Sequence, residues 1–494
     1  MGSRGVVAAG HPLTAEAGAK VLRCGGNAVD AAVAAMLTSW VCEPLLTGPG
    51  AGGYLLVAGA GEEPVLLDFF VSAPGKGADA SARGELLSVQ VDFGDALQTF
   101  HVGPAAVGVP GVPAGIAEAA RRWGTVPLRD LAAPAAALAR AGTPMNRAQA
   151  WIFDLLAGIL VSSAEARALF TRPDGGVLRE GDVFRSEDLA EAIELLGSEG
   201  AEPFYTGAVA RMLYDFVAER GGTLTLKDLA TYAPVARKPL AVTYRGRSVL
   251  TNPPPNAGGV LLGLALAQLE RAPSPPPLRA VVDAMEAAQD ERTPEFTTGL
   301  ADPAFAARFV SSRLGSTTHI AVLDAEGRAA SVTCTNGEGA GVVVPGTGVH
   351  LNNIMGEEDL SPLGFHRAAA GTRMPSMMAP TVVLRDGAVE LALGSAGSNR
   401  IRSAILQAIV GVVDHGLAAE AAVVAPRAHF EDGVVYAEPG VPVEELRAAG
   451  RAEIVEFRDR NIFFGGVQAV ERDLVSGAVT GAGDPRRGGA VVFA

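Results

Sequence analysis

Hydrophobic periodicity divides the chain into a helical first part and a strand-rich last third. Residues 11–42 predict two helices. Thr14 is a candidate cap for the first, starting near Ala15. The stretch AVDAAVAAML that follows is apolar on every face, as in a buried helix. Gly25-Gly26-Asn27 predicts the turn between them. A glycine-rich loop runs from Glu43 to Gly53, and Tyr54–Ala58 and Pro64–Phe70 then predict a strand pair. Residues 113–171 are rich in Ala and Leu, with Arg and Glu at helical spacing. Leu226–Tyr232 and Pro239–Leu250 lead to a second strand pair, Pro253-Pro254-Pro255 fixes an extended loop, and Ala272–Pro277 is a surface connector.

The pattern changes near residue 316. His319–Leu323 and Ala329–Thr335 alternate apolar and polar positions around Asp324–Arg328, which predicts a β-hairpin. Thr381–Leu384 and Val389–Gly394 predict another, turning at Asp386-Gly387. Ser398–His415 is helical, and Ile462–Phe493 reads as strands with turns. There is no internal repeat at a solenoid period.

Composition narrows the function classes. The 494 residues carry a net charge of −14, with 48% apolar and 5% aromatic residues. A chain this apolar can bury a large core, and one this acidic is a poor match for nucleic acid or anionic membranes. Cys24, Cys42 and Cys334 lie far apart without a CxxC pair, which predicts buried free thiols rather than a disulfide framework or zinc site. The longest apolar run, Ala31 to Cys42, is short of the roughly 20 residues that span a bilayer. Val6-Val7-Ala8-Ala9 is too short for a signal core. The expectation is a soluble, cytoplasmic chain; the opening Met-Gly-Ser leaves a removed signal open.

Several common sites are excluded. Gly48-Pro-Gly50-Ala-Gly52-Gly53 matches GxGxxG in letters, but a helix precedes it and a strand follows, so a phosphate would find no helix N-terminus. No Walker motif and no GxSxG elbow is present. The seven histidines form no HExxH and no close pair, so no metal and no cofactor is expected.

The informative stretches are GSTTH (315–319), VTCTNGEG (332–339), LNNIMGEED (351–359), RMPSMMAPT (373–381) and GSAGSNR (394–400). Together with GGNAVDAAVAA (25–35), EPLLTGPGAGGYLL (43–56), PPPNAGG (253–259), EPFYTGAVA (202–210) and GDPRRGG (483–489), they resemble the γ-glutamyltranspeptidase family nearly end to end and in the family's order. The resemblance implies an N-terminal-nucleophile hydrolase of α+β class: a four-layer αββα sandwich with two antiparallel sheets flanked by helices. It implies a precursor cut between Ser316 and Thr317 into a 1–316 and a 317–494 segment that stay one intertwined domain. Thr317 then matches the nucleophile. A threonine hydroxyl needs a base within hydrogen-bond reach, and the freed α-amino group, with an ordinary pKa near 7.7–8.0, suits that task. Thr335 matches the threonine that hydrogen-bonds the nucleophile. Gly397 and Ser398 match the Gly-Gly pair whose N–H groups form the oxyanion hole; Ser398 replaces the second glycine.

The substrate side departs from the family. The arginine that binds an α-carboxylate falls at Phe70, in LDFFVSAP (67–74). The residue implied to hold the α-amino group is Glu357. The family's Ser-Ser pair becomes Ser376-Met377, Asn336 follows Thr335 directly, and Arg373 is a candidate replacement cation. The stretch from Asp302-Pro303 to the cut is short for the family. The implied substrate is a small-molecule amide. Three functions stay open: γ-glutamyl transfer or glutathione hydrolysis; cleavage of a different acyl amide, as by cephalosporin-acylase-like relatives; and a catalytically idle scaffold.

Overall fold

The computed structural model describes residues 4–78, 83–92, 97–291, 317–361, 364–451 and 453–494. Ser316 and the stretch from Asp302-Pro303 to the expected cut lie outside them. Helix α1 is Pro12–Arg23 and α2 is Ala28–Cys42. The cap of α1 is His11 rather than Thr14: its Nδ1 accepts from Leu13 N at 3.2 Å, and Pro12, with its φ preset, fills the first turn. Thr14 is buried instead, with its hydroxyl 3.5 Å from Glu43 Oε2. Asn27 and Asp30 form a capping box at the start of α2, every residue of which is buried. Cys24 departs from the expected burial: it caps the C-terminus of α1 and is exposed, while Cys42 and Cys334 are buried.

Two antiparallel sheets follow the expected hairpins. The first has seven strands: β1 (Gly5–Ala9), β2 (Gly52–Gly59), β3 (Glu62–Phe69), β4 (Val235–Arg237), then β7 (Thr318–Asp324), β8 (Arg328–Thr335) and β13 (Ala490–Phe493). Its spatial order is β13-β1-β7-β8-β2-β3-β4. The second has six: β5 (Leu240–Tyr244), β6 (Arg247–Thr251), β9 (Thr381–Arg385), β10 (Ala388–Ala396), β11 (Gly466–Arg472) and β12 (Val479–Gly483), in the order β12-β11-β10-β9-β6-β5. Leu226–Ala230, upstream of the β5–β6 pair, is a short helix capped by Thr225 and Asp228. Both sheets combine strands from before and after residue 317, so neither segment completes a sheet alone.

Strand alternation assigns the faces. On β7, Ile320 and Val322 pack with Val7, Val29 and Leu37 in a core shared with α1 and α2. Ala321 and Leu323 point the other way, into a core with Leu391 and Leu393 of the second sheet. Helices α4 (Ala257–Leu269), α5 (Leu278–Asp290) and α6 (Arg400–Val413) close the far side of that sheet, while α3 (Val112–Trp123) joins the first helical layer. The layers are helix, sheet, sheet, helix. Among the described residues no helix is long and apolar enough to cross a membrane.

Candidate active site

The β7–β8 register pairs Thr318 with Cys334. One step further along the same register, Thr317 stands opposite Thr335 at the open end of the hairpin. By alternation Thr317 faces the space between the sheets, with Ala321 and Leu323, whereas Thr318 faces the helices. Both Thr317 and Thr335 are buried and line one small cavity. Thr335 Oγ1 also accepts from Gly337 N at 2.9 Å, which ties the hydroxyl to the turn that follows β8.

Ser398 lines the same cavity, just before the N-terminus of α6. It sits at φ 55°, left-handed but open to a non-glycine residue at modest cost. Gly397 has φ 114°, and a Cβ there would lie 2.8 Å from Gly465 Cα, so glycine is required. The positive end of the α6 dipole therefore lies beside the cavity, where a developing oxyanion would be favoured.

An apolar wall made by Phe70, Ile354, Leu360, Met377, Met378 and Ile401 forms much of the remaining lining. Phe70 is fully buried and stacks on Tyr54 at 5.4 Å. Ser376 lines the cavity too, and its Oγ accepts from Met378 N at 3.1 Å. Among the described residues the ionisable group lining the cavity is Glu357, and none of them brings a cation to it. Two threonines across a hairpin, a helix N-terminus and an apolar wall are the elements that acyl transfer uses, here without a charged clamp.

The family model for γ-glutamyltranspeptidase matches residues 14–316 and 304–494. The chain belongs to the γ-glutamyltranspeptidase family. It is 34% identical to the acylase ACY 1 proenzyme of Pseudomonas sp. (strain SE83), over 89% of this chain and 85% of that protein. It is 30% identical to the glutathione hydrolase proenzyme of Bacillus subtilis (strain 168), over 100% of this chain and 92% of that one. The crystal structure of cephalosporin acylase from Bacillus halodurans superposes with a TM-score of 0.82 at 28% identity, covering 99% of this chain and 96% of that one. The chain is an enzyme of this family, in which hydrolases and acyltransferases share one αββα fold.

Within this γ-glutamyltranspeptidase fold the remaining sequence candidates separate. Arg373 points away from the cavity. Its Nη1 donates to Phe70 O at 2.7 Å and Ser72 Oγ at 3.0 Å, its Nη2 to Ala233 O at 2.8 Å, and it pairs with Asp68 Oδ1 at 3.2 Å. Asn336 is fully buried: its backbone N donates to Leu46 O at 3.1 Å, and its side-chain amide has no hydrogen-bond partner among the described residues. Neither residue lines the cavity, and Gly397 contributes backbone beside it. Glu357 Oε1 is pressed over Gly337, where a Cβ would lie 2.4 Å away.

Sequence reasoning missed Ile354, Leu360, Met378 and Ile401. All but Leu360's and Ile401's side-chain placement could be suspected from LNNIMGEED and RMPSMMAPT, whose letters include the other two. It also assigned no role to Glu43, although the family-like segment EPLLTGPGAGGYLL begins with it. Burial pushes the Glu43 carboxyl up to about 7.

Proposed function

We propose that this chain is a self-cleaving amide hydrolase or acyltransferase that works through an acyl-Thr317 intermediate, and that its acyl pocket favours groups lacking an α-carboxylate. In maturation, Thr317 Oγ1 attacks the Ser316 carbonyl, the peptide nitrogen leaves as the new α-amino group, and water hydrolyses the resulting ester. In turnover, that amine takes the proton from Thr317 Oγ1 as the oxygen attacks the substrate amide. The leaving amine departs with a proton, and water or another amine resolves the acyl-enzyme. Thr335 supports the nucleophile, and the N–H groups of Gly397 and Ser398 receive the oxyanion.

The specificity half rests on one observation: Phe70 forms part of an apolar wall, and among the described residues no cation lines the cavity. A carboxylate buried there would lack the partner that makes its desolvation tolerable. A second reading, glutathione hydrolysis, draws on Glu357, whose carboxyl lines the cavity and would hold an α-amino group in that reading. The two separate on kcat/KM for a γ-glutamyl anilide and for a neutral acyl anilide of similar size, in wild type and in Phe70→Arg. The proposal expects wild type to handle the neutral compound at least as well, and the variant to shift towards the γ-glutamyl one. A wild-type preference for the γ-glutamyl compound of about a hundredfold, or ~2.7 kcal/mol, overturns it.

A further inference from the structure

Glu43 follows α2 as its C-cap and is 1% exposed. Its Oε1 accepts from Thr318 Oγ1 at 2.9 Å, and Thr14 Oγ1 lies 3.5 Å from Oε2. Gly10, just past β1, packs so closely that a Cβ there would lie 2.3 Å from Oε1 and 3.2 Å from Thr318 Oγ1. Helices α1 and α2, the end of β1 and the head of β7 therefore meet on one carboxyl group. Thr318 is the residue directly after Thr317, on the opposite face of the strand. Its hydroxyl belongs to no wall of the cavity.

We propose that Glu43 is a positioning residue for Thr317, fixing the head of β7 through the Thr318 hydroxyl. The proposal rests on Thr317 being the nucleophile. A freed chain end would otherwise fray, since terminal residues order only where something ties them down. Thr318 is the first residue behind the new terminus that has a side-chain anchor, and the anchor is buried.

The carboxyl also titrates in the working range. Burial is the main cause of its rise to about 7, opposed by the Thr318 and Thr14 hydroxyls and by the Arg487 guanidinium. Arg487, on the loop before β13, is itself pulled down to about 10 by burial and by Arg400. Next to Glu43 on α2, the Cys42 thiol is raised by burial and by Glu43 itself. On the α1 side, burial holds His11 neutral, down to about 4. A carboxylate formed here adds negative charge beside the residue next to the new amino group. Negative charge favours the ammonium form of that amine, which cannot accept the Thr317 proton.

The test uses the full chain, carrying Glu43→Gln, Thr318→Val, Thr318→Ser or Thr317→Ala, with folding checked by thermal melts. Autocleavage rate is measured from about pH 5.5 to 9, as are kcat and KM on whichever anilide is turned over faster. Thr318→Val is expected to lower kcat by roughly tenfold with KM unchanged, and Thr318→Ser to restore it. Glu43→Gln, which keeps an acceptor but cannot ionise, is expected to shift the amine's inflection in kcat to lower pH than in wild type. Wild-type kcat and pH profile in both Glu43→Gln and Thr318→Val, with Thr317→Ala inactive, overturns the proposal. An active Thr317→Ala overturns the nucleophile assignment instead, and this proposal with it. If Glu43→Gln does not fold, the Thr318 pair decides: equal kcat for Val and Ser contradicts the proposal.

Discussion

Arg373 Nη1 donates to the backbone carbonyl of Phe70 at 2.7 Å, so this guanidinium is bound to the rear of the pocket's aromatic wall. The same guanidinium lies over the Tyr232 ring at 4.7 Å and pairs with Asp68, whose side chain is fully buried. Its role here is to brace the wall. Arg373→Met therefore removes one of two guanidinium partners from a buried carboxylate, with Arg237 still paired to it at 2.8 Å, and should cost about 1–3 kcal/mol. Urea denaturation should show that loss while KM for either anilide changes little. Intact stability with a KM for the γ-glutamyl compound raised about tenfold or more would place Arg373 on the substrate instead.

The direction of that arginine is the kind of fact a sequence withholds. The β7–β8 hairpin was legible because its apolar positions alternate and Asp324–Arg328 supplies a turn. Helix α2 was legible because AVDAAVAAML is apolar all round. The convergence of Thr317, Thr335 and Ser398 on one cavity could be expected only through the family resemblance, since three distant segments carry them. Arg373 has a long side chain whose course is decided by Asp68, Ser72 and Ala233, on other elements. The Thr318–Glu43 bond joins residues 275 positions apart, and nothing local marks either partner. His11 displaced Thr14 as a cap because a histidine ring can also accept from the first turn, a weaker sequence signal than a hydroxyl.

Thr335→Ala should slow both maturation and turnover while leaving the fold intact. The lost hydroxyl bond is worth about 0.5–1.5 kcal/mol, and more if Gly337 N is left unsatisfied. Autocleavage time courses and kcat on the faster anilide measure it; wild-type values for both would remove Thr335 from the machinery.

Gly397 and Ser398 should respond in opposite ways. Gly397→Ala forces a side chain onto Gly465 at φ 114°, and should abolish turnover. Ser398→Gly relieves a left-handed residue and should raise stability by up to about 1 kcal/mol while activity persists. Activity lost in Ser398→Gly would show that its hydroxyl, not its backbone, takes part.

Acid should destabilise the protein above the pH range where ordinary carboxylates titrate. Burial lowers His11 and His350 to about 4 and His319 to about 3. These rings stay neutral in the fold, while the unfolded chain takes up protons near pH 6.5. Their contribution is full above about pH 6.5 and is lost progressively towards pH 4. Glu43 works in the other direction, since its raised value makes the fold less stable as pH rises through about 7. Urea midpoints should fall between about pH 6.5 and 4.5, and Glu43→Gln should gain on wild type most at alkaline pH. A midpoint flat across the acid range would contradict the neutral burial of these histidines.

The most direct test is the amino terminus of the purified protein. After incubation at neutral pH, a denaturing gel should show two fragments, the smaller of 178 residues from 317 to 494. Its N-terminal sequence should read Thr-Thr-His-Ile, and Thr317→Ala should stay whole. A single full-length band for wild type, or a new terminus at any residue other than Thr317, would contradict Thr317 as the self-generated nucleophile.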